Sequence, residues 1–179
     1  MGDKSALSVA EKKKLTSERQ RAVREAWGKE KAYVANGEGT RDWTPVQQRE
    51  IMEEGRAESY EGHHMKNVSN YPEQAGNPDN IQFLDREEHI QGAHQGNTHT
   101  QTNGYFNPDT KEMEHFKGDE LRPVESAALT NPSYQNGKNI VEAKGASAFN
   151  ASAKNASSGA SSSSEEKGFS QSHSSGISR

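Results

Sequence analysis

The chain reads as a small α+β domain in which two short strands joined by a long loop are followed by a helix, with a helical segment before them and a disordered Ser-rich tail after. Three observations lead there. Only 28% of the 179 residues are hydrophobic and the mean hydropathy is -1.15, so one large core cannot run through the whole length. A compact part of roughly 80 to 100 residues in the first three quarters of the chain suits that composition, because small domains are marginal in buried area. Residues 80–84 form a β-prone run, residues 56–67 lack a strong helix signal, and the stretch between them is rich in Asn, Pro and Gly. From Gly145 onward thirteen of the last 35 residues are Ser, with Phe149, Phe169 and Ile177 the only large apolar side chains, a composition that predicts disorder.

Each element has its own signal. Residues 8–33 contain no Pro and only Gly28, and Leu15, Ala22, Val23, Ala26 and Trp27 recur at helical spacing, which predicts a basic amphipathic helix. Its cations Lys12, Lys13, Lys14, Arg19, Arg21 and Arg24 form either a phosphate-contacting arm or a solvated face, and the solvated face is the reading we favour. A turn is expected at Asn36-Gly37-Glu38-Gly39. Thr44 can cap a second helix with Pro45 at its first position and Gln47 completing a capping box, so a short helix should run to Glu54, with Trp43 and Ile51 packing it on the domain. Asp85-Arg86-Glu87-Glu88 reads as a capped helix start, and Gly96 is placed to end that helix. Beyond Asn97 the pattern weakens to turns at Asn103-Gly104 and Asn107-Pro108-Asp109 and one helix near residues 117–128. The organisation expected is a basic helical segment at 1–40, the core at 41–100, a weakly structured extension at 101–144 and the tail at 145–179.

Several classes of function drop out. With no cysteine, disulfide frameworks, thiolate nucleophiles and Cys-based zinc sites are excluded, so any metal must be held by His, carboxylate, Asn or water. No segment approaches the roughly 20 apolar residues that span a bilayer, and Met1-Gly2-Asp3-Lys4-Ser5-Ala6 lacks the apolar core of a signal peptide. The expected location is the cytoplasm, or a target cell reached by a non-Sec route. Residues 1–35 carry nine Lys/Arg against five Asp/Glu, whereas the remainder carries thirteen against twenty-one, so no uniform basic surface is apparent.

Five of the seven histidines lie between residues 63 and 99. Histidine adds little to a core, but it is the commonest ligand of transition metals and the side chain best suited to moving a proton near neutral pH. Adjacent histidines on an extended segment point in opposite directions, so one of His63 and His64 can face a metal while the other faces a water or a substrate. Phosphodiester hydrolysis needs an activated water, a positive centre for developing charge and help for the leaving oxygen, which an imidazole and a metal can divide between them. His89 lies one turn into the third helix. His94, five residues on, would stand about 140° away on an ideal α-helix, so it can join His89 only if the helix ends or tightens before it. Gly92 and Gly96 allow that, and His89 and His94 are both candidate ligands. His99 and His115 have no such context.

Tyr60-Glu61-Gly62-His63-His64, Ala75-Gly76-Asn77-Pro78-Asp79-Asn80-Ile81-Gln82-Phe83-Leu84 and Glu88-His89 through His94-Gln95-Gly96-Asn97 closely resemble the GHH-signature branch of the HNH/endonuclease VII nucleases, domains found at the C-terminal tips of RHS-type and other polymorphic bacterial toxins. Trp43-Thr44-Pro45 with Gln47 and Ile51 is similar to the segment preceding that motif. The resemblance covers residues 41–97. It implies a ββα-metal (His-Me) finger: a β-hairpin with a long loop, then a helix, gripping one divalent ion. By the resemblance His63 is a metal ligand, His64 the general base that activates water, His89 a second ligand and His94 a third. Asn80 pins the loop so that His64 is aimed.

The function expected is therefore a metal-dependent endonuclease acting on nucleic acid, DNA ahead of RNA, with an immunity protein as partner if the chain is a toxin and no membrane partner. An imidazole shell favours Zn or Ni, while Mg or Mn serve if waters complete it. The alternative is a degenerate HNH finger that binds nucleic acid or a protein without cutting.

Overall fold

The computed structural model describes residues 7–141. The Ser-rich tail expected at 145–179 lies outside the described residues. Within them the protein is a mixture of helices and small antiparallel sheets, an α+β domain opened by a long helix, in the order α1 (Val9–Val34), β1 (Glu38–Gly39), α2 (Pro45–Glu54), β2 (Tyr60–His64), β3 (Ile81–Asp85), a π-helix (Glu88–Ala93), β4 (Gly104–Asn107), β5 (Glu112–His115), β6 (Ala127–Ala128), β7 (Tyr134–Gln135) and β8 (Lys138–Asn139).

Both α-helices begin as their sequences require. Ser8 caps α1 and Thr44 caps α2, each in a capping box closed by the residue three positions on, Glu11 and Gln47. Pro45 occupies the first turn of α2, and Gly55 ends it in the left-handed conformation at φ +83°. In α1 the residues that reach the core are Ala22, Ala26, Trp27, Glu30 and Val34, all in the C-terminal half, whereas residues 9–14 are exposed. Leu15 is only half-buried, so the first turns of α1 project past the core.

β2 and β3 pair antiparallel, from Tyr60 opposite Asp85 to His64 opposite Ile81. The strand period of two divides β3 between two apolar clusters. Ile81 and Phe83 face the larger one, with Ala22, Ala26, Trp27, Trp43 and Ile51, where the Trp27 and Phe83 rings stack at 3.8 Å and Trp43 meets Tyr60 edge-on at 4.8 Å. Leu84 faces the smaller one, with Ala93 and Phe106. Gln82, also on that face, replaces a missing ladder. Its amide donates to Phe106 O at 2.6 Å and its carbonyl accepts from Phe106 N at 3.0 Å, docking β4 on β3 through a side chain.

Two expectations for the C-terminal third are corrected. No helix forms at residues 117–128, where Gly118 at φ +57° and Pro123 interrupt a polar stretch short of apolar anchors, and the segment ends instead in β6 paired with β1. Asn103-Gly104 is not a turn. Gly104 opens β4, where a Cβ would lie 2.4 Å from Glu114 O, so the glycine serves the close approach of β4 to β5, and Asn103 bridges to Lys66. The turn at Asn107-Pro108-Asp109 does join β4 to β5.

Candidate metal and nuclease site

The site grows from the GHH strand. Along β2, Tyr60, Gly62 and His64 face α1 while Glu61 and His63 face the π-helix, so the two adjacent imidazoles leave opposite sides of one strand. Gly62 is what lets α1 sit there, because a Cβ at this position would lie 2.9 Å from both methyl groups of Val23. Thr102 holds the strand end, its hydroxyl donating to His64 O at 3.3 Å.

His89 and His94 both reach His63. Asp85 and Glu88 start this helical segment with a reciprocal cap, Glu88 N donating to Asp85 Oδ1 at 2.8 Å and Asp85 N to Glu88 Oε2 at 3.1 Å. The segment then widens instead of tightening. His94 N donates to His89 O at 3.1 Å, a five-residue turn of the π type that stacks positions i and i+5. The helix does end before His94, at Ala93 with His94 as its cap residue, but it gets there by widening, and the wide last turn brings His94 round toward His89. Gly96 at φ +77° then closes the segment, donating to Ile90 O.

The three rings stand with centroids 5.1 Å apart (His63 to His89), 5.1 Å (His63 to His94) and 5.0 Å (His89 to His94), and one nitrogen from each lies within 4.8 Å of the others. The second nitrogens of His89 and His94 are committed elsewhere. His89 Nδ1 bonds Glu61 Oε2 at 2.8 Å, and His94 Nδ1–H donates to Thr100 O at 3.0 Å, which leaves Nε2 of each with a lone pair. His63, 3% exposed, keeps its Nε2 buried without a hydrogen-bond partner. An orphaned buried nitrogen beside two converging imidazoles fits a divalent transition ion well. Burial pushes the His63 imidazolium well below its ordinary range, with the neighbouring His89, His94 and His64 adding to it, and burial likewise lowers His94, so both rings are held in the neutral form that ligates.

His64 is not part of the trio. Its Nε2–H donates to Ala75 O at 3.1 Å, so Nδ1 is the acceptor of a neutral ring. Burial is the main cause of its lowered proton affinity, opposed by the Ala75 carbonyl and assisted by the charge of Arg19. Asn80, fully buried, spans the loop that carries Ala75: its Oδ1 accepts from Lys66 N at 2.8 Å and its amide donates to Lys66 O at 2.9 Å and Gln74 O at 3.4 Å. Lys29 ties the same loop to α1 through Asp79 at 2.5 Å.

His63, His64, His89 and His94 all line one cavity of about 470 Å³. Asn80 does not line it and acts through Lys66 and Gln74. Three residues not expected at the site belong to this neighbourhood: His99 and Arg19, the latter among the cations favoured as a solvated face, line the cavity, and Glu61 holds His89. Glu61 was legible in principle, since it lies two residues before His63 on the same strand face. Nothing in the sequence set Arg19 apart from the other cations of α1 or gave His99 a context, because only the packing of α1 and the turn at residues 97–100 bring them in. Among the described residues no helix is long and apolar enough to cross a membrane.

Residues 10–85 match the family of GHH-signature-containing HNH/Endo VII superfamily nuclease toxins. The chain is also similar to Teneurin-3 of Mus musculus, 40% identical over 75 residues, to Teneurin-4 of Homo sapiens, 38% identical over 71, and to Teneurin-m of Drosophila melanogaster, 35% identical over 65. These segments cover 41%, 39% and 36% of this chain, but only 3%, 3% and 2% of those relatives. The family match begins within α1 and ends at the last residue of β3, so it takes in the Gly62 contact, both adjacent histidines and the loop that Asn80 spans. The resemblance to the GHH-signature HNH/Endo VII superfamily of nuclease toxins is thus carried by residues 10–85, a little under half of the chain.

Proposed function

We propose that this protein is a metal-dependent endonuclease that hydrolyses phosphodiester bonds, in DNA ahead of RNA. The observation that carries the reading is a buried His63 whose Nε2 has no hydrogen-bond partner, grouped with His89 and His94 so that one nitrogen of each lies within 4.8 Å of the others, with His64 in the same cavity yet outside the trio. His63, His89 and His94 would hold one divalent ion. When bound, such an ion supplies positive charge at the phosphoryl oxygens and to the leaving oxygen. Three imidazole donors favour Zn or Ni over Mg or Mn.

His64 takes the base role on this reading. With Nε2–H committed to Ala75 O, Nδ1 has a free lone pair, and a ring kept neutral by burial can accept the proton of an attacking water. Asn80 fixes the loop that bears Ala75, so it positions His64 without touching substrate. Glu61 and Thr100 O hold His89 and His94 in one tautomer, the outer support that metal-binding histidines depend on. A toxin built on this site would need an immunity protein that covers the cavity.

The match to teneurins, whose names carry no nuclease description, favours one second reading: a finger that binds nucleic acid or protein without cutting. Plasmid DNA and total RNA incubated with the purified chain in Mg, Mn, Zn, Ni or EDTA separate the two. The nuclease reading expects metal-dependent nicking that His64→Ala abolishes. Intact substrate with folded, metal-loaded protein leaves the binding module.

A further inference from the structure

The cations of α1 sort into three groups. Lys14 pairs with Glu18, Arg21 with Glu25 and Lys29 with Asp79, so their charges are answered within the protein. Lys12, Lys13, Arg24 and Lys31 are exposed and line no described cavity with the histidines. Arg19 belongs to neither group. It is exposed, it has no ion-pair partner among the described residues, and it lines the histidine cavity.

Its position follows from the Gly62 contact. Val23 is pressed on Gly62 with no room for a side chain between them, which fixes both the depth and the rotation of α1 over the GHH strand. Arg19 is one turn before Val23 on the same helical face, and this places it on the wall of the cavity that His63 and His64 also line. Among the described residues no carboxylate is paired with its guanidinium. The three carboxylates of α1 outside the core, Glu11, Glu18 and Glu25, are engaged by Ser8, Lys14 and Arg21. The other described cavity of similar size, about 460 Å³, shows the opposite pattern, because its Arg41 and Lys111 are both paired with Glu88.

We infer that Arg19 is a substrate-binding residue that grips a backbone phosphate of nucleic acid seated across the His63/His64 cavity, so that α1 is one wall of the substrate groove and not only a packing element. This rests on the nuclease reading above and adds to it the group that holds the substrate. A guanidinium suits the task because its planar fork meets two phosphate oxygens at once. Phosphate contacts set register on the strand without reading sequence, so Arg19 should act alike on all sequences.

The test measures binding of a short fluorescein-labelled DNA duplex to the full chain carrying His64→Ala, with Arg19 intact or changed to Ala or Lys, across a salt series. Loss of one phosphate contact should weaken binding about tenfold and make the slope of log affinity against log salt shallower by about 1. Arg19→Lys should recover the slope but only part of the affinity, since the charge remains and the fork is lost. Arg24→Ala, on another face of α1, should change neither. In chains that otherwise cleave, Arg19→Ala should raise KM more than it lowers kcat, with metal affinity unaltered. An unchanged slope in Arg19→Ala, beside a wild-type chain that cuts plasmid, overturns this inference and leaves the nuclease reading standing. A wild-type chain that neither binds nor cuts nucleic acid overturns both.

Discussion

His89 and His94 are five residues apart, and a single backbone bond from His94 N to His89 O at 3.1 Å turns that spacing into a shared direction. An α-turn would carry His94 away from His63, whereas the π-turn brings the two helix rings to 5.0 Å from each other and each to 5.1 Å from His63. The wide turn is held from outside by Phe106, which packs where a Gly92 side chain would be.

That packing gives the first prediction. In Gly92→Ala the new Cβ would lie 2.4 Å from the Phe106 ring, and Phe106 is only 1% exposed, so it has little space to retreat. The variant should lose about 1 to 3 kcal/mol of stability. Because the displaced segment carries His94, metal affinity should fall with it. Thermal denaturation and a zinc titration read both effects, and a variant with wild-type stability would mean the π-turn is more pliable than its packing implies.

Glu61 offers a cleaner separation of support from ligation. It is half-exposed and touches His89 only at Nδ1, so Glu61→Ala should fold normally and weaken metal binding about 10- to 100-fold. Isothermal titration with Zn or Ni measures it. Equal affinity in the variant would show that His89 needs no orientation from this carboxylate.

For His64 the expected pattern is the reverse. His64→Ala should leave metal affinity near wild type and lower kcat by about 10² to 10⁴, the contribution of a positioned general base. Cleavage assays beside a metal titration decide it, and wild-type turnover in the variant would remove His64 from the base role.

Asn80 should be costly to remove for structural reasons and for activity together. Asn80→Ala leaves Lys66 N–H and C=O without their partners in the interior, an expected loss of about 2 to 3 kcal/mol. The loop bearing Ala75 should loosen, and residual cleavage should fall even at temperatures where the variant stays folded. Chemical denaturation together with single-turnover cleavage on the folded fraction tests both parts.

Glu30 supplies the pH dependence. It is buried under α1, and desolvation raises its carboxyl above the ordinary 4.5 despite hydrogen bonds from Trp43 Nε1, Thr40 Oγ1 and Thr40 N. The folded state therefore keeps this proton at pH values where the unfolded chain has lost it. The Glu30 contribution to stability is then greatest below 4.5 and declines as pH rises through the raised folded value. Glu30→Gln should flatten that decline. Urea unfolding from about pH 4 to about pH 8 measures the slope, and parallel curves for the two proteins would assign the pH dependence to other groups.

Much of the scaffold was legible because its signals are local. Ser8 with Glu11, Thr44 with Gln47 and Asp85 with Glu88 each close a cap within four residues, so sequence alone fixes where those helices start. The GHH strand, the Asn-rich loop and the β-prone run give the hairpin, and period two sends His63 and His64 to opposite faces. Local signals failed where structure depends on distant partners. Residues 101–141 hold strands that exist because Gln82 docks Phe106 and because β1 accepts β6, neither of which periodicity announces.

Sequence by itself determined the candidate ligand types, the order of helices and hairpin as far as the segment after β3, and the separation of two adjacent imidazoles, since these follow from side-chain chemistry, local caps and the strand repeat. Only the tertiary structure decided how His94 joins His89 and which cation of α1 lines the histidine cavity. The first depends on a five-residue turn braced by Phe106, and the second on the depth at which Val23 meets Gly62. Both are set by packing between segments far apart in the chain, where steric fit selects among backbone conformations that differ little in local energy.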